Sequence, residues 1–175
     1  MPRDSIKADH PAVRAAEAAV AKRTASLLAL RGRRTVDSFH RELGRLLWEH
    51  CGMARSEASL TSALAKIPGL REEFWQDALV PGSGEELNQS LERAGRVADF
   101  LELGELICLD ALERRESCGA HFREEHQDAE GESRRDDTRF CHVAAWEYTG
   151  AGRAPRRHEE PLVFERASLT TRSYK

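Results

Sequence analysis

Cys118, His121 and His126 lie close together along the chain, and Cys141 and His142 are adjacent further on. Thiolate and imidazole are the donors that tetrahedral Zn²⁺ takes. Paired C-x2-C knuckles are absent, however, and neighbours in a strand point to opposite faces, so Cys141 and His142 would not converge. Scattered structural or surface roles are the plainer reading. A Cys–His nucleophile would need a thiolate beside a base held by a third group. Cys118 with His121 or His126 has the residue types, but no hydrolase signature surrounds them. Gly82-Ser83-Gly84 is a short G-x-G of the kind that can cradle an anion before a helix. It lacks the third glycine and preceding hydrophobic strand of a dinucleotide site, and no Walker lysine follows, so it reads as a capped loop. Asn88-Gln89-Ser90 is a glycosylation sequon by its letters alone. No residue is assigned a catalytic, cofactor-binding or metal-ligating role on this basis.

Glu105 interrupts an apolar stripe. A carboxylate there is a raised-pKa acid, a buried ion-pair member, or a residue where the helix face turns to solvent. Leu103, Ile107 and Ala111 supply a shifted stripe beside it, which favours the solvent-facing reading.

The chain has 175 residues, of which 33% are charged, and mean hydropathy is −0.60. Its 27 basic and 30 acidic residues leave a net charge of −3. The arginine-rich stretches (Arg31 to Arg34, Arg134-Arg135, Arg153 to Arg157) are therefore matched by acids, and nucleic acid is not an expected partner. No apolar run approaches the roughly 20 residues of a membrane helix. Met1 to His10 is polar and does not read as a signal peptide. Cys51, Cys108, Cys118 and Cys141 lack the spacing of a secreted disulfide framework, which points to reduced thiols in the cytoplasm.

The elements that would position these groups are mainly helical. Pro11 suits a first helical turn, and Val13, Ala16, Val20, Thr24, Leu27 and Leu28 recur at steps of three and four, with Gly32 as the expected stop. Thr35 is placed to cap a second helix, whose stripe runs Val36, Phe39, Leu43, Leu46, Leu47, His50 and ends before Gly52. Ser56 opens a third helix, which Pro68 should break or kink although Leu70 and Phe74 continue its stripe. After the turn Val80 to Gly84, Ser83 and Glu86 have capping-box spacing for the longest helix. Its stripe is Leu87, Leu91, Ala94, Ala98, Leu101, Cys108 and Leu112.

From Glu116 to Thr138 no helical period remains, a connection long enough to imply order against another surface. Cys141 to Trp146 reads as a strand, and Leu162, Phe164 and Ala167 as its return. The expected fold is mainly α: an antiparallel three- to four-helix bundle over residues 10–115. A small irregular segment with a β-hairpin follows over 116–175.

The segment Arg115-Glu116-Ser117-Cys118-Gly119-Ala120-His121-Phe122-Arg123-Glu124-Glu125 resembles the R-x-E-S-R-G-A-H-x-R-E-D signature of succinate dehydrogenase and fumarate reductase flavoproteins. Arg135-Asp136-Asp137 fills the acidic turn that follows it there, Phe140-Cys141-His142 matches the next stretch, and Arg172-Ser173-Tyr174 is similar to the family's terminal R-S-Y. Leu46 to Arg55 and Gly95 to Leu106 resemble the helical domain of the subgroup anchored by a diheme cytochrome b. Cys118 stands where many relatives carry arginine, removing a charged contact.

The resemblance implies a parent enzyme that moves a hydride between succinate and FAD. Its flavin domain and its capping domain, with the substrate-binding and proton-shuttling residues, would precede this region. The fragment itself is expected to hold no FAD and to be inactive alone. Its implied partners are the FAD and capping domains of the same flavoprotein, the iron-sulfur subunit and, indirectly, the membrane cytochrome b subunit. That is a cytoplasmic location, membrane-associated through the complex. Ser117, His121, Arg123, Glu124, Asp136 and Asp137 are the candidate interface residues. Two other readings are a free-standing helical interaction module and a small metal-dependent enzyme using Cys118, His121 and His126.

Overall fold

Residues 7–150 and 152–170 are described in a computed structural model of the chain; the terminal Arg172-Ser173-Tyr174 lies outside them. Proline opens α1 (Pro11–Leu28) at the first helical position, where no backbone donor is needed. The helix stops at Leu28, short of Gly32, and the Arg31 guanidinium donates to the Leu28 and Leu30 carbonyls that the end leaves free. Gly32 serves a different purpose. Its N–H donates to Ala78 O at 3.0 Å, and a Cβ at this position would lie 2.0 Å from the Asp77 carbonyl group. The sequence cannot reveal that crossing, because Asp77 is distant in the chain.

β1 (Arg34–Thr35) leads directly into α2 (Val36–Cys51), with the Thr35 hydroxyl accepting the Ser38 N–H at 3.3 Å. Gly52 ends α2 as expected. Ser56 caps α3 (Glu57–Asp77) in a reciprocal box with Ser59. Pro68 does not break α3. Its cost, about 3 kcal/mol in a helix interior, is offset by fully buried Ile67 and Phe74 and nearly buried Leu70 flanking it. Each such side chain contributes about 1.5–3 kcal/mol on burial. β2 (Ala78–Leu79) then pairs parallel with β1, Arg34 opposite Ala78.

α4 (Gln89–Glu113) begins later than the Ser83–Glu86 spacing implies. Asn88 is its cap, accepting the Leu91 N–H at 3.0 Å and donating from Nδ2 to Pro81 O and Ser83 O. Ser83 merely accepts the Glu85 N–H in the preceding turn, and Leu87, before the helix, is 93% exposed. The asparagine wins because one amide both caps the helix and closes the loop. The buried face of α4 is Ala94, Val97, Ala98, Leu101, Gly104, Cys108 and Ala111. Gly104, not Glu105, thus occupies the gap in the stripe; Glu105 is half-buried and paired with Arg71 of α3.

Phe39 meets Phe74 edge-on at 5.4 Å, and His50 meets Lys66 at 3.0 Å, so α2 and α3 run antiparallel. His40 lies against Phe100 at 5.8 Å, while Leu47 faces Gly104, so α2 and α4 run in the same direction. α1 completes the bundle against α4 through buried Leu27 and the Arg23–Asp99 pair at 2.5 Å. No helix among the described residues is long and apolar enough to cross a membrane.

Beyond the bundle come a single helical turn, α5 (Asp137–Phe140), and an antiparallel hairpin of β3 (His142–Glu147) and β4 (Arg156–Pro161). The return strand is therefore the charged Arg156–Pro161, not the apolar stretch from Leu162, which follows it with Leu162, Val163 and Phe164 exposed. β3 ends at Glu147 and β4 begins at Arg156, and Trp146 pairs with Arg157 across the ladder. The Trp146 indole N–H donates to Asp110 of α4 at 2.7 Å, which fastens the hairpin to the bundle.

Candidate functional site

The connection from Glu116 onward folds as a clasp over the ends of α3 and α4. Helix α4 stops at Glu113 and leaves its last carbonyls without intrahelical partners. Arg123 supplies them. Its side chain is 1% exposed, and Nη1 donates to Ala111 O at 2.9 Å and Leu112 O at 3.2 Å. A cation at a helix C-terminus also complements the macrodipole. Its Nε donates to Glu125 Oε2 at 3.2 Å. The other oxygen of Glu125 accepts the first N–H of α3, from Glu57. Burial would raise the Glu125 pKa, but the donated N–H groups and Arg123 hold it below the usual carboxylate range. One arginine–carboxylate pair thus joins the tail of α4 to the head of α3.

Ser117 is fully buried, accepting Arg123 N–H at 2.8 Å and donating to Arg123 O at 3.1 Å, while its own N–H reaches Arg134 O at 2.9 Å. Cys118 and His121 face each other across a tight turn, N–H to O in both directions at 2.8 and 3.1 Å, around Gly119 in a left-handed conformation. Arg55 threads its backbone alongside: Arg55 N–H donates to Phe122 O at 3.1 Å, and Glu124 N–H donates to Arg55 O at 2.8 Å. Glu116 is 2% exposed, with one carboxylate oxygen accepting both Arg114 Nε and Nη2 (2.8 and 2.7 Å) and the other the Asp136 N–H at 2.8 Å. A buried carboxylate satisfied in this way fixes the far end of the clasp.

His121 shows what such a site can and cannot do. Nε2 lies 2.8 Å from Arg114 O, which can only accept, so Nε2 carries the proton. Nδ1 lies 3.1 Å from Arg55 Nη1, which can only donate. The ring is therefore neutral with both nitrogens occupied. Burial pushes its pKa down, and the Arg55, Arg114 and Arg123 charges add to this against the opposing Arg114 carbonyl. A histidine committed on both sides is not poised as a base for Cys118. Among the described residues, no three His, Cys, Asp or Glu side chains gather as a metal site.

The six candidates divide accordingly. Ser117, His121 and Arg123 meet inside the clasp, whereas the Glu124 side chain is exposed. Asp136 caps α5 through Arg139 N–H and pairs with Arg139 Nε at 2.6 Å; Asp137 holds Arg135 by two bonds at 2.9 and 2.6 Å. Those arginines keep both aspartates below the ordinary carboxylate range. Sequence reasoning overlooked Glu116, although it lies within the signature, and Arg55, which no local spacing links to His121.

A family model described as the fumarate reductase flavoprotein C-terminus matches residues 40–174. The chain is 29% identical over 134 residues to the fumarate reductase flavoprotein subunit of Haemophilus influenzae, covering 76% of this chain and 21% of that protein. It is 31% identical over 94 residues to L-aspartate oxidase of Synechocystis, covering 47% of this chain and 17% of that protein. Among solved structures, an E. coli quinol fumarate reductase superposes with a TM-score of 0.77 at 22% identity, covering 94% of this chain and 27% of that one. The chain thus spans about a fifth of the curated relatives and about a quarter of the solved chain.

Proposed function

This chain belongs to the fumarate reductase flavoprotein C-terminal family, and from that premise we propose that it is the non-catalytic bracing and docking region of an FAD-dependent oxidoreductase flavoprotein. The reading rests on where Glu116, Ser117, His121 and Arg123 spend their polar atoms, which is on the helix ends and loop of this same chain. Those contacts make a rigid mount. The parent's substrate class is a four-carbon dicarboxylate, the shared chemistry in the names of the fumarate reductase and L-aspartate oxidase relatives, with succinate–fumarate interconversion through FAD as the specific form. The FAD would be carried by the remainder of the flavoprotein.

Docking falls to the outward groups. Phe100, Leu103 and Ile107 are 40%, 51% and 45% exposed at helical spacing along α4. Leu162, Val163 and Phe164 add exposed apolar surface after the hairpin. Side chains of this kind, when they lie contiguously on a surface, mark interaction sites. In this proposal the flavin and capping domains cover part of that surface, and Glu124, Asp136 and Asp137 make polar contacts with them or with an iron-sulfur subunit. A membrane cytochrome b would be reached only through that assembly, on the cytoplasmic side.

The test is co-purification of this chain with the FAD-bearing body of its flavoprotein, alongside assays of the chain alone. Stable association is expected, weakened at least several-fold by joint Glu124→Arg, Asp136→Arg and Asp137→Arg changes. The chain alone should show no flavin absorbance and no succinate-dependent dye reduction. Tightly held FAD in the isolated chain, or assembly indifferent to those three changes, would defeat the reading.

A further inference from the structure

Two thiols outside the clasp have no part in that role. Cys51 closes α2 and is 9% exposed; Cys108 sits on the buried face of α4 and is fully buried. The parallel course of the two helices brings them together. Leu43 and Leu47 of α2 face Gly104 of α4, where an added Cβ would stand 3.5 and 3.2 Å from their methyl carbons. One helical turn further along each helix come Cys51 and Cys108, so the shared register sets the two buried thiols at the same level between α2 and α4. The missing side chain at Gly104 lets the two helices approach closely one turn before the cysteines.

The two sulfurs are unequal. The neighbouring Cys108 thiol draws the Cys51 pKa down to about 7, with burial opposing and the Arg55 guanidinium assisting. The Cys51 sulfur, with burial, pushes the Cys108 thiol up. A thiolate beside a protonated thiol is the arrangement of an attacking and a resolving cysteine.

We propose that Cys51 and Cys108 form a hydroperoxide-oxidised dithiol site whose disulfide ties the end of α2 to α4 beneath the clasp. The Cys51 thiolate attacks the terminal oxygen of the hydroperoxide; an S–O bond forms, the O–O bond breaks, and the leaving alkoxide takes a proton to become an alcohol or water. Sulfur is thereby oxidised to a sulfenic acid. The Cys108 sulfur then attacks it, the S–S bond forms, the S–O bond breaks, and hydroxide leaves with the Cys108 proton as water. Two thiols and one hydroperoxide give one disulfide, one alcohol or water, and one further water. The site stands close to the loop, because Arg55, whose charge acts on both sulfurs, is also the residue that grips His121 and Phe122.

The experiment uses the full chain with Cys118→Ser and Cys141→Ser, leaving this pair as the only thiols. Hydrogen peroxide at one equivalent should remove both thiols, lower the mass by two hydrogens, and yield one peptide linking Cys51 to Cys108 within a chain. Dithiothreitol should restore both thiols. In a Cys108→Ser variant, dimedone should trap a sulfenic acid at Cys51. Thiols that persist under excess peroxide, a sulfinic acid at Cys51 without the linked peptide, or a link only between chains would overturn the proposal. Should the variants not fold, peptide mapping of the unaltered chain decides the question, and linkage through Cys118 or Cys141 instead would count against it.

Discussion

Replacing Arg123 with alanine removes three bonds from one buried side chain: those to Ala111 O at 2.9 Å, to Leu112 O at 3.2 Å and to Glu125 at 3.2 Å. Each hydrogen bond from a charged donor contributes about 1.5–3 kcal/mol net, while the Glu125 contact, on a carboxylate 40% exposed, adds less than about 1 kcal/mol. The two carbonyls belong to a helix end and regain water in part, so the simple sum is too large. Two such bonds, partly replaced by water, put the expected loss at about 3–5 kcal/mol. For a chain of this size, where each kcal/mol shifts Tm by about 2–4 °C, the midpoint should fall by roughly 6–20 °C. Urea unfolding followed by tryptophan fluorescence measures the loss. Amide exchange at Cys118 and Glu124, whose N–H groups are bonded to His121 O and Arg55 O, tests whether the clasp opens. Arg123→Lys keeps the charge but not the fork, and should lose about half as much. A cost for Arg123→Ala below about 1 kcal/mol with both amides still protected would refute the reasoning, and would mean that the backbone bridges alone hold the loop.

Gly32→Ala should cost about 3 kcal/mol, the upper range for forced overpacking, because its Cβ would collide with the Asp77 backbone at 2.0 Å; thermal melting within about 1 °C of the unaltered chain would contradict this. Acidification should loosen the clasp through its histidines. The folded pKa of His121 lies below its ordinary value of 6.5, so its contribution is complete above that pH and is lost as pH falls toward the folded value. His126 is shifted the same way. The protection factors of the 117–126 amides, corrected for the intrinsic pH dependence of exchange, should therefore fall as pH drops below 6.5, and protection factors that rise on acidification would show the sign to be wrong. The depressed Asp136 and Asp137 values predict a second loss as pH falls below their ordinary 3.8.

Helix starts that depend on a partner three residues away were legible in the letters. Thr35 with Ser38 and Ser56 with Ser59 are satisfied within one turn. The period of three and four marked the buried faces of α2 and α3, and Gly52 marked an end, because a helix needs only its own sequence to set which residues share a face. The signature from Arg115 to Glu125 likewise identified the family without any coordinates.

Tertiary structure decided whatever depends on residues far apart in the chain. Asn88 displaced Ser83 as the cap because its amide could also reach Pro81 and Ser83 carbonyls. Gly32 was needed against Asp77 and Gly104 against Leu47, at close approaches that no periodicity encodes. Arg123 carries a charge and so reads as a surface or interface residue. It is buried because two orphaned carbonyls at the end of α4 and a carboxylate at the head of α3 converge where the loop passes. The composition supplied the groups, and the crossing of helices set their partners, since hydrogen bonds and ion pairs form by proximity in space, which local sequence fixes only within a turn or two.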